Sequence, residues 1–133
     1  MKKLLLVIAV ISAVGCVAKT APQKHAWYFS QHTSGTLNGN FQTQRSEVYR
    51  INLPEFEKVY QQGNVDRSNG KNREYANAYA ALIRKEADTQ HQVQNTFKNN
   101  AGDQWQDTAE QKDATLWFGE LATAYLDGYN GIK

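Results

Sequence analysis

The chain of 133 residues is long enough for one domain, and its single cysteine excludes a disulfide within one chain. Fifteen basic and 13 acidic side chains give a formal net charge of +2, but two of the lysines lie within the first three residues. Without those two lysines the charges balance, so the sequence shows no net basic charge of the kind that a nucleic-acid partner would favour, and we expect no nucleic-acid partner.

Residues 1–15 have the pattern of a secretory signal peptide. Two lysines follow Met1, and the run from Leu4 to Val14 is apolar apart from Ser12. A basic start, a short apolar core and small residues before a cleavage site are typical of exported proteins. The run is too short for a transmembrane helix, which needs about 20 apolar residues.

The four residues Ala13–Cys16 resemble the lipobox of bacterial lipoproteins, although that family more often has leucine at the place of Ala13. The resemblance implies cleavage before Cys16 and acylation of its sulfur and new amine by fatty acids such as palmitate. The alternative is a plain signal peptide with a stray cysteine near its end. In the family, an aspartate after the cysteine usually signals retention in the inner membrane. Because Val17 stands there, the resemblance implies a lipid-anchored envelope protein of the outer membrane.

Residues 16–45 are predicted to be the lipidated cysteine, a tether and an irregular segment. Val17–Lys24 is mostly polar and contains Pro22, and Ser30–Thr43 is rich in Ser, Thr, Asn, Gly and Gln. Between them, Ala26–Phe29 contains three consecutive aromatic residues. This cluster either packs onto its own domain or lies among lipid headgroups, where Trp and Tyr are favoured.

Residues 46–133 predict a mainly α fold, a small helical bundle of about three helices. Pro54 fits the first turn of the first helix, and glycines at 70 and 131 fit the ends of the first and third. The third helix is apolar around most of its circumference, which indicates a central, buried position. The predicted limits, in chain order, are about Asn52–Asn69, Asn72–Lys98 and Asp107–Asn130.

The first and third predicted helices share the pattern Y-x-x-G, from Tyr60 to Gly63 and from Tyr125 to Gly128. Each glycine lies on the apolar face, although glycine destabilises a helix by about 1 kcal/mol relative to alanine. We therefore predict that the two helices pack through the glycine side, with each tyrosine over the other helix's bare backbone. The alternative is coincidence in a tyrosine-rich chain.

The first pattern continues beyond its glycine through Asp66 to Gly70. The second begins at Ala122, contains Asp127 before its glycine and continues through Tyr129 to Gly131. Together with a lipobox, they resemble the entry-exclusion lipoprotein family of enterobacterial plasmids. The resemblance implies a small envelope lipoprotein that blocks uptake of related plasmids by a cell already carrying one, and it brings no catalytic residues. Besides the lipidation site Cys16, the residues given a structural role in helix contact are Tyr60, Gly63, Asp66, Gly70, Tyr125, Asp127, Gly128 and Tyr129.

The sequence contains no motif that indicates catalysis. His25, His32 and His91 lack the spacing of a metal site, and neither a G-x-S-x-G elbow nor a phosphate-binding loop is present. We therefore expect no enzyme activity, no cofactor and no metal. We expect Asp66 and Asp127 to cap helices or form ion pairs near the helix contact.

These patterns favour a binding or blocking role in the cell envelope, with plasmid entry exclusion as its specific form. The expected partners are the membrane, through acyl chains on Cys16, and an envelope protein. The alternative is an assembly factor for a secretion or pilus machine, resembling the pilotins. An enzyme acting on peptidoglycan or lipid would instead require a pocket that gathers two carboxylates, or a carboxylate and a histidine.

Overall fold

The computed structural model describes residues 18–34, 45–95 and 104–133, which form helices without any strand. The mainly α fold predicted from the sequence is confirmed. These ranges contain four helices rather than the predicted three or so. They are α1 (Ala21–His32), α2 (Arg45–Ser68), α3 (Arg73–Asn95) and α4 (Gln104–Asn130).

Helix α1 corrects the prediction that residues 16–45 are irregular. Pro22 occupies its first turn, and the Gln23 side chain accepts a hydrogen bond from the Thr20 N–H at 3.1 Å. Ala26 and Phe29 are buried, whereas the neighbouring Trp27 and Tyr28 are more than two-fifths exposed. The aromatic run therefore divides between the core and the surface, as it must on a helix with 3.6 residues per turn.

Helix α2 begins at Arg45, so the predicted start near Asn52 was wrong. Pro54 lies inside the helix rather than in its first turn. The turns before it are retained because they bury Val48 against the core, and the Asn52 amide donates to the Val48 carbonyl at 2.7 Å. Burial of an apolar side chain thus outweighs the unfavourable position of the proline.

Helix α4 is the centre of the bundle, as predicted from its apolar circumference, because α1, α2 and α3 all pack against it. On one side, Trp117 of α4 lies edge-on to Phe29 of α1 and Phe56 of α2, with ring centroids 4.9 and 5.0 Å away. On the other side, α3 contributes the fully buried Ala76 and Ala80, together with the partly buried Tyr79 and Ile83. We call these two parts of the core the aromatic half and the alanine half, after the fully buried Phe29 and Phe56 of α1 and α2 and the fully buried Ala76 and Ala80 of α3.

Glycines end α2 and α4 in the same way. Gly70 and Gly131 have φ values of 76° and 71°, a conformation that favours glycine. The N–H groups of Lys71 and Ile132 donate to the carbonyls of Asp66 and Asp127 at 3.0 and 2.9 Å, which closes a Schellman motif at each helix end. The ends predicted at Gly70 and Gly131 are confirmed.

Candidate functional site

The crossing of α2 and α4 is the site at which the two Y-x-x-G patterns meet. A Cβ atom added to Gly63 would overlap the Tyr125 carbonyl and lie 2.6 Å from the Tyr129 nitrogen. A Cβ atom added to Gly128 would overlap the Tyr60 carbonyl. The predicted packing of the two helices through their glycines is therefore observed. However, each glycine faces the main chain of the opposing tyrosine, not its ring.

The rings of those tyrosines extend away from the crossing to separate partners. Tyr60 donates from its hydroxyl to the Ile132 carbonyl at 2.7 Å. Tyr125 is fully buried and donates to the Asp66 carboxylate at 2.7 Å, which also accepts from the Gln62 amide at 2.9 Å. Burial, followed by the hydrogen bond to Asp66, raises the pKa of Tyr125, so its hydroxyl remains a donor.

Tyr129 connects the C-terminal end of α4 to the turn between α2 and α3. Its hydroxyl donates to the Lys71 carbonyl at 2.7 Å, and the Arg67 guanidinium lies 5.3 Å from the centre of its ring. A further hydrogen bond of 3.0 Å joins Arg73 to Asn130. Main-chain and side-chain contacts therefore hold this end of the bundle in one arrangement.

A histidine and two carboxylates join α1 to α4. Nδ1 of His25 lies 2.6 Å from Glu120 Oε2, and Nε2 lies 2.9 Å from Asp127 Oδ2. Burial alone lowers the pKa of this histidine, but the hydrogen bonds with Glu120 and Asp127 outweigh it, and the pKa of His25 is raised. The protonated ring satisfies both carboxylates, because a neutral ring has only one N–H to donate.

This group contains the residue types of an acid–base site, but its geometry is that of a structural bridge. Both ring nitrogens of His25 are already bonded to carboxylates of the same protein. A general base needs a ring nitrogen within hydrogen-bond reach of a substrate proton. In the observed arrangement, the histidine links helices instead of presenting a nitrogen to solvent.

The buried carboxylate of Asp113 links the segment after the C-terminal end of α1 to α4. Asp113 is almost fully buried, and its carboxylate accepts hydrogen bonds from the Ser34 N–H at 2.8 and 3.1 Å and from the Ser34 hydroxyl. With the histidine bridge, it fixes both ends of α1 against α4. The His25 and Asp113 contacts thus both join α1 and its flanking segment to the central helix.

The structure places most of the predicted site residues at or beside the α2–α4 crossing, whereas Cys16 lies outside the described residues. Sequence reasoning missed His25, Glu120 and Asp113. Glu120 and Asp127 are seven residues apart, a spacing that puts both on one face of a helix. That spacing was the available signal, but it does not identify the histidine that lies between them.

Within the part of the chain that the structure describes, no group of three or more His, Cys, Asp or Glu residues is placed to hold a metal ion. None of the helices described there is long and apolar enough to cross a membrane. No known protein family, curated protein or solved structure matches this chain.

Proposed function

We propose that this chain is a lipid-anchored protein of the cell envelope that acts by binding or blocking a partner, and that its specific role is exclusion of related plasmids. The observation that carries the proposal is the lipobox-like Ala13–Cys16, whose cysteine lies five residues before the start of α1 at Ala21. Buried acyl chains contribute about 0.8 kcal/mol per methylene, and two chains already give stable anchoring. A folded domain would thus follow the anchor almost directly.

The polar contacts of the described domain support a binding role rather than a catalytic one. His25, Asp66 and Asp113 are each hydrogen-bonded to a residue of another helix or its flanking segment. These hydrogen bonds therefore hold the helices together. The remaining part of the proposal, exclusion of plasmids, depends on the resemblance carried by the two glycine motifs.

The anchor is tested by feeding cells labelled palmitate and comparing the wild-type chain with the Cys16→Ser variant. We expect label on the wild-type chain alone, and we expect the variant to lose its firm attachment to membranes, because serine lacks the sulfur that would be acylated. Gly119→Ala is the matched control, since nothing lies within 4 Å of an added Cβ at Gly119. An unlabelled wild-type chain would refute the anchor.

Exclusion is tested by conjugation into recipients that carry the wild-type gene, the Cys16→Ser gene or no gene. We expect transfer of a related plasmid to fall only in the first recipient. Equal transfer into all three would remove the exclusion role while leaving the anchor in place.

A photo-crosslinker at Leu82 would identify the partner in cells, because this side chain of α3 is 61% exposed. Under exclusion, we expect capture of an envelope protein that takes part in plasmid uptake. Capture of a secretin or pilus subunit would instead indicate the assembly role.

A further inference from the structure

Three segments of the chain meet at one end of the bundle, which we call the basic end: residues 18–25, 66–75 and 127–133. Lys24 donates to the Lys133 carbonyl at 3.2 Å, which joins the first segment to the third. Arg73 contacts Asn130, and Tyr129 contacts Lys71, so the second segment lies against the third as well. The basic end is therefore a single surface built around the C-terminus of α4.

Positive charge is concentrated at this surface. The acidic side chains in the three segments are Asp66, Glu74 and Asp127, and two of these are engaged, Asp66 with Tyr125 and Asp127 with the His25 ring. Six basic side chains, all exposed, are Lys19, Lys24, Arg67, Lys71, Arg73 and Lys133. Because charges balance over residues 16–133, the remainder of that chain carries the compensating negative excess.

Helix dipoles account for only part of this cluster, such as Arg67 in the last turn of α2. Cations are favoured at helix C-termini and disfavoured at N-termini. Lys24 lies in the first turn of α1, which contains no acidic residue, and Arg73 is the first residue of α3. Neither side chain stabilises the helix in which it lies, and both contact the C-terminal end of α4, at the Lys133 carbonyl and the Asn130 side chain. Six exposed basic side chains exceed the partial negative charge of two helix C-termini, so an anionic ligand would account for the excess.

An exposed aromatic ring at this surface has a lysine over it. The Lys71 ammonium lies 4.8 Å from the centre of the Tyr75 ring, which is 40% exposed. Trp27, which Lys19 covers in the same way, lies instead beside Tyr49 near the start of α2, with ring centroids 5.9 Å apart. Tryptophan, tyrosine and lysine are the residues favoured at the membrane–water interface.

The length of the chain before α1 gives the distance to a membrane. Five residue steps separate Cys16 from Ala21, and a fully extended chain spans at most about 18 Å over that length. Helix α4, with 27 residues, is about 40 Å long. An acylated Cys16 would therefore keep the basic end near the bilayer.

We propose that the basic end lies on the anionic phospholipid headgroups of the membrane that holds the acyl chains, with the helices extending away from it. This inference rests on the proposed lipid anchor and adds an orientation to it. The exposed lysines and arginines would contact headgroup phosphates, and the Tyr75 ring would lie at headgroup level. The opposite end, where α2 begins, would be presented to the partner.

The test uses acylated protein, verified by mass, in vesicles of phosphatidylcholine alone or of equal parts phosphatidylcholine and phosphatidylglycerol. A fluorophore is attached through Asn69→Cys at the basic end or through Ser46→Cys at the other end of α2; both positions are exposed. Lipids with a spin label on the headgroup quench a nearby fluorophore. We expect quenching at position 69 in the anionic vesicles, less of it at high salt, and little at position 46.

A charge variant with a matched control completes the test. We expect the double variant Lys71→Gln with Arg73→Gln to reduce, about 30-fold, the ratio of molecules with the basic end on the headgroups to molecules without that contact. Each basic residue near an anionic surface contributes about 1 kcal/mol, and two of them together give that factor. Arg84→Gln with Lys85→Gln removes the same charge from exposed positions further along α3 and should change little.

Three outcomes would overturn the orientation while the anchor stands. They are equal quenching at positions 69 and 46, quenching at position 69 that is the same in both vesicles, and equal behaviour of the two charge variants. If the Arg73 change unfolds the protein, the salt dependence of quenching at position 69 in the otherwise wild-type chain tests the orientation instead. A chain without acyl groups would instead refute the anchor itself.

Discussion

At the scale of single residues, the tightest constraint in the described structure is the main-chain contact between α2 and α4. Gly63 and Gly128 each face the backbone of the opposing helix, which cannot move aside as a flexible side chain can. Gly119 is also in α4, but no neighbouring atom lies within 4 Å of a Cβ atom added there. The chain thus provides glycines that are required and a helical glycine that is not.

We predict that Gly63→Ala and Gly128→Ala lower the free energy of unfolding by about 1–3 kcal/mol each, because the new methyl group would separate the helices. Gly119→Ala should raise it by about 0.5–1 kcal/mol, since alanine favours the helix. Urea unfolding midpoints measure all three variants. Destabilisation by Gly119→Ala equal to that of the other two would refute the contact.

The buried Tyr125 hydroxyl gives a second prediction for a single residue. Tyr125→Phe leaves the buried Asp66 carboxylate without one of its donors, so we expect a loss of about 1–3 kcal/mol in the free energy of unfolding. Tyr60→Phe removes an exposed hydrogen bond to Ile132 and should cost less than about 1 kcal/mol. Equal losses, measured by urea unfolding, would mean that the Asp66 bond is not special.

At the scale of helices, α1 is attached to α4 through a titrating group. The folded-state pKa of His25 is raised above the unfolded value of about 6.5. The contribution of the imidazolium to the free energy of unfolding is therefore fully present below about pH 6.5, and it is lost as the pH rises through the folded pKa.

We predict that wild type is more stable than His25→Gln at about pH 5.5 and that this difference shrinks towards about pH 9. Other titrating groups are the same in both proteins, so the comparison removes their contribution to the free energy of unfolding. The glutamine amide still provides a hydrogen-bond donor for one of the two carboxylates. Urea midpoints across the range measure the difference, and the NMR titration of the His25 ring gives its pKa. A difference that is constant or grows with pH would contradict the bridge.

The helices show which features a local pattern can predict. The ends of α2 and α4 were predictable because glycine after a helix is a local signal. Helix α1 was missed because its polar and aromatic residues resemble a tether, and its helical face becomes apparent only when Phe29 packs against Trp117 of α4. The start of α2 was missed because Pro54 suggests a first turn, whereas burial of Val48 extends the helix before it.

The candidate site divides along the same line. The glycine crossing was predictable because both helices have the same Y-x-x-G pattern. Close contact between the two helices also explains why each has a glycine on its apolar face. The His25 bridge joins residues about a hundred positions apart, from a helix that was itself missed. No local pattern records which distant carboxylates will surround a histidine.

At the scale of the whole molecule, the bundle is asymmetric around α4. Helices α1 and α2 pack against each other as well as against α4, and they share with it the aromatic half of the core. Helix α3 packs mainly against α4, where its fully buried side chains are alanines, which bury little apolar surface, beside the partly buried Tyr79 and Ile83. Regions with few buried apolar contacts open at lower free energy than the rest of a domain.

We predict that α3 opens separately from the other helices. Amide hydrogens of residues 76–89 should exchange faster than those of residues 116–128 in α4, as measured by hydrogen exchange with mass spectrometry. Ala78→Gly, at an exposed position of α3, weakens this helix by about 1 kcal/mol and should speed exchange in α3 about fivefold. Exchange in α4 should hardly change, because α1 and α2 still cover its aromatic side. Equal acceleration in both helices would show that the four helices unfold as one unit, and the alanine half of the core would then be as firmly held as the aromatic half.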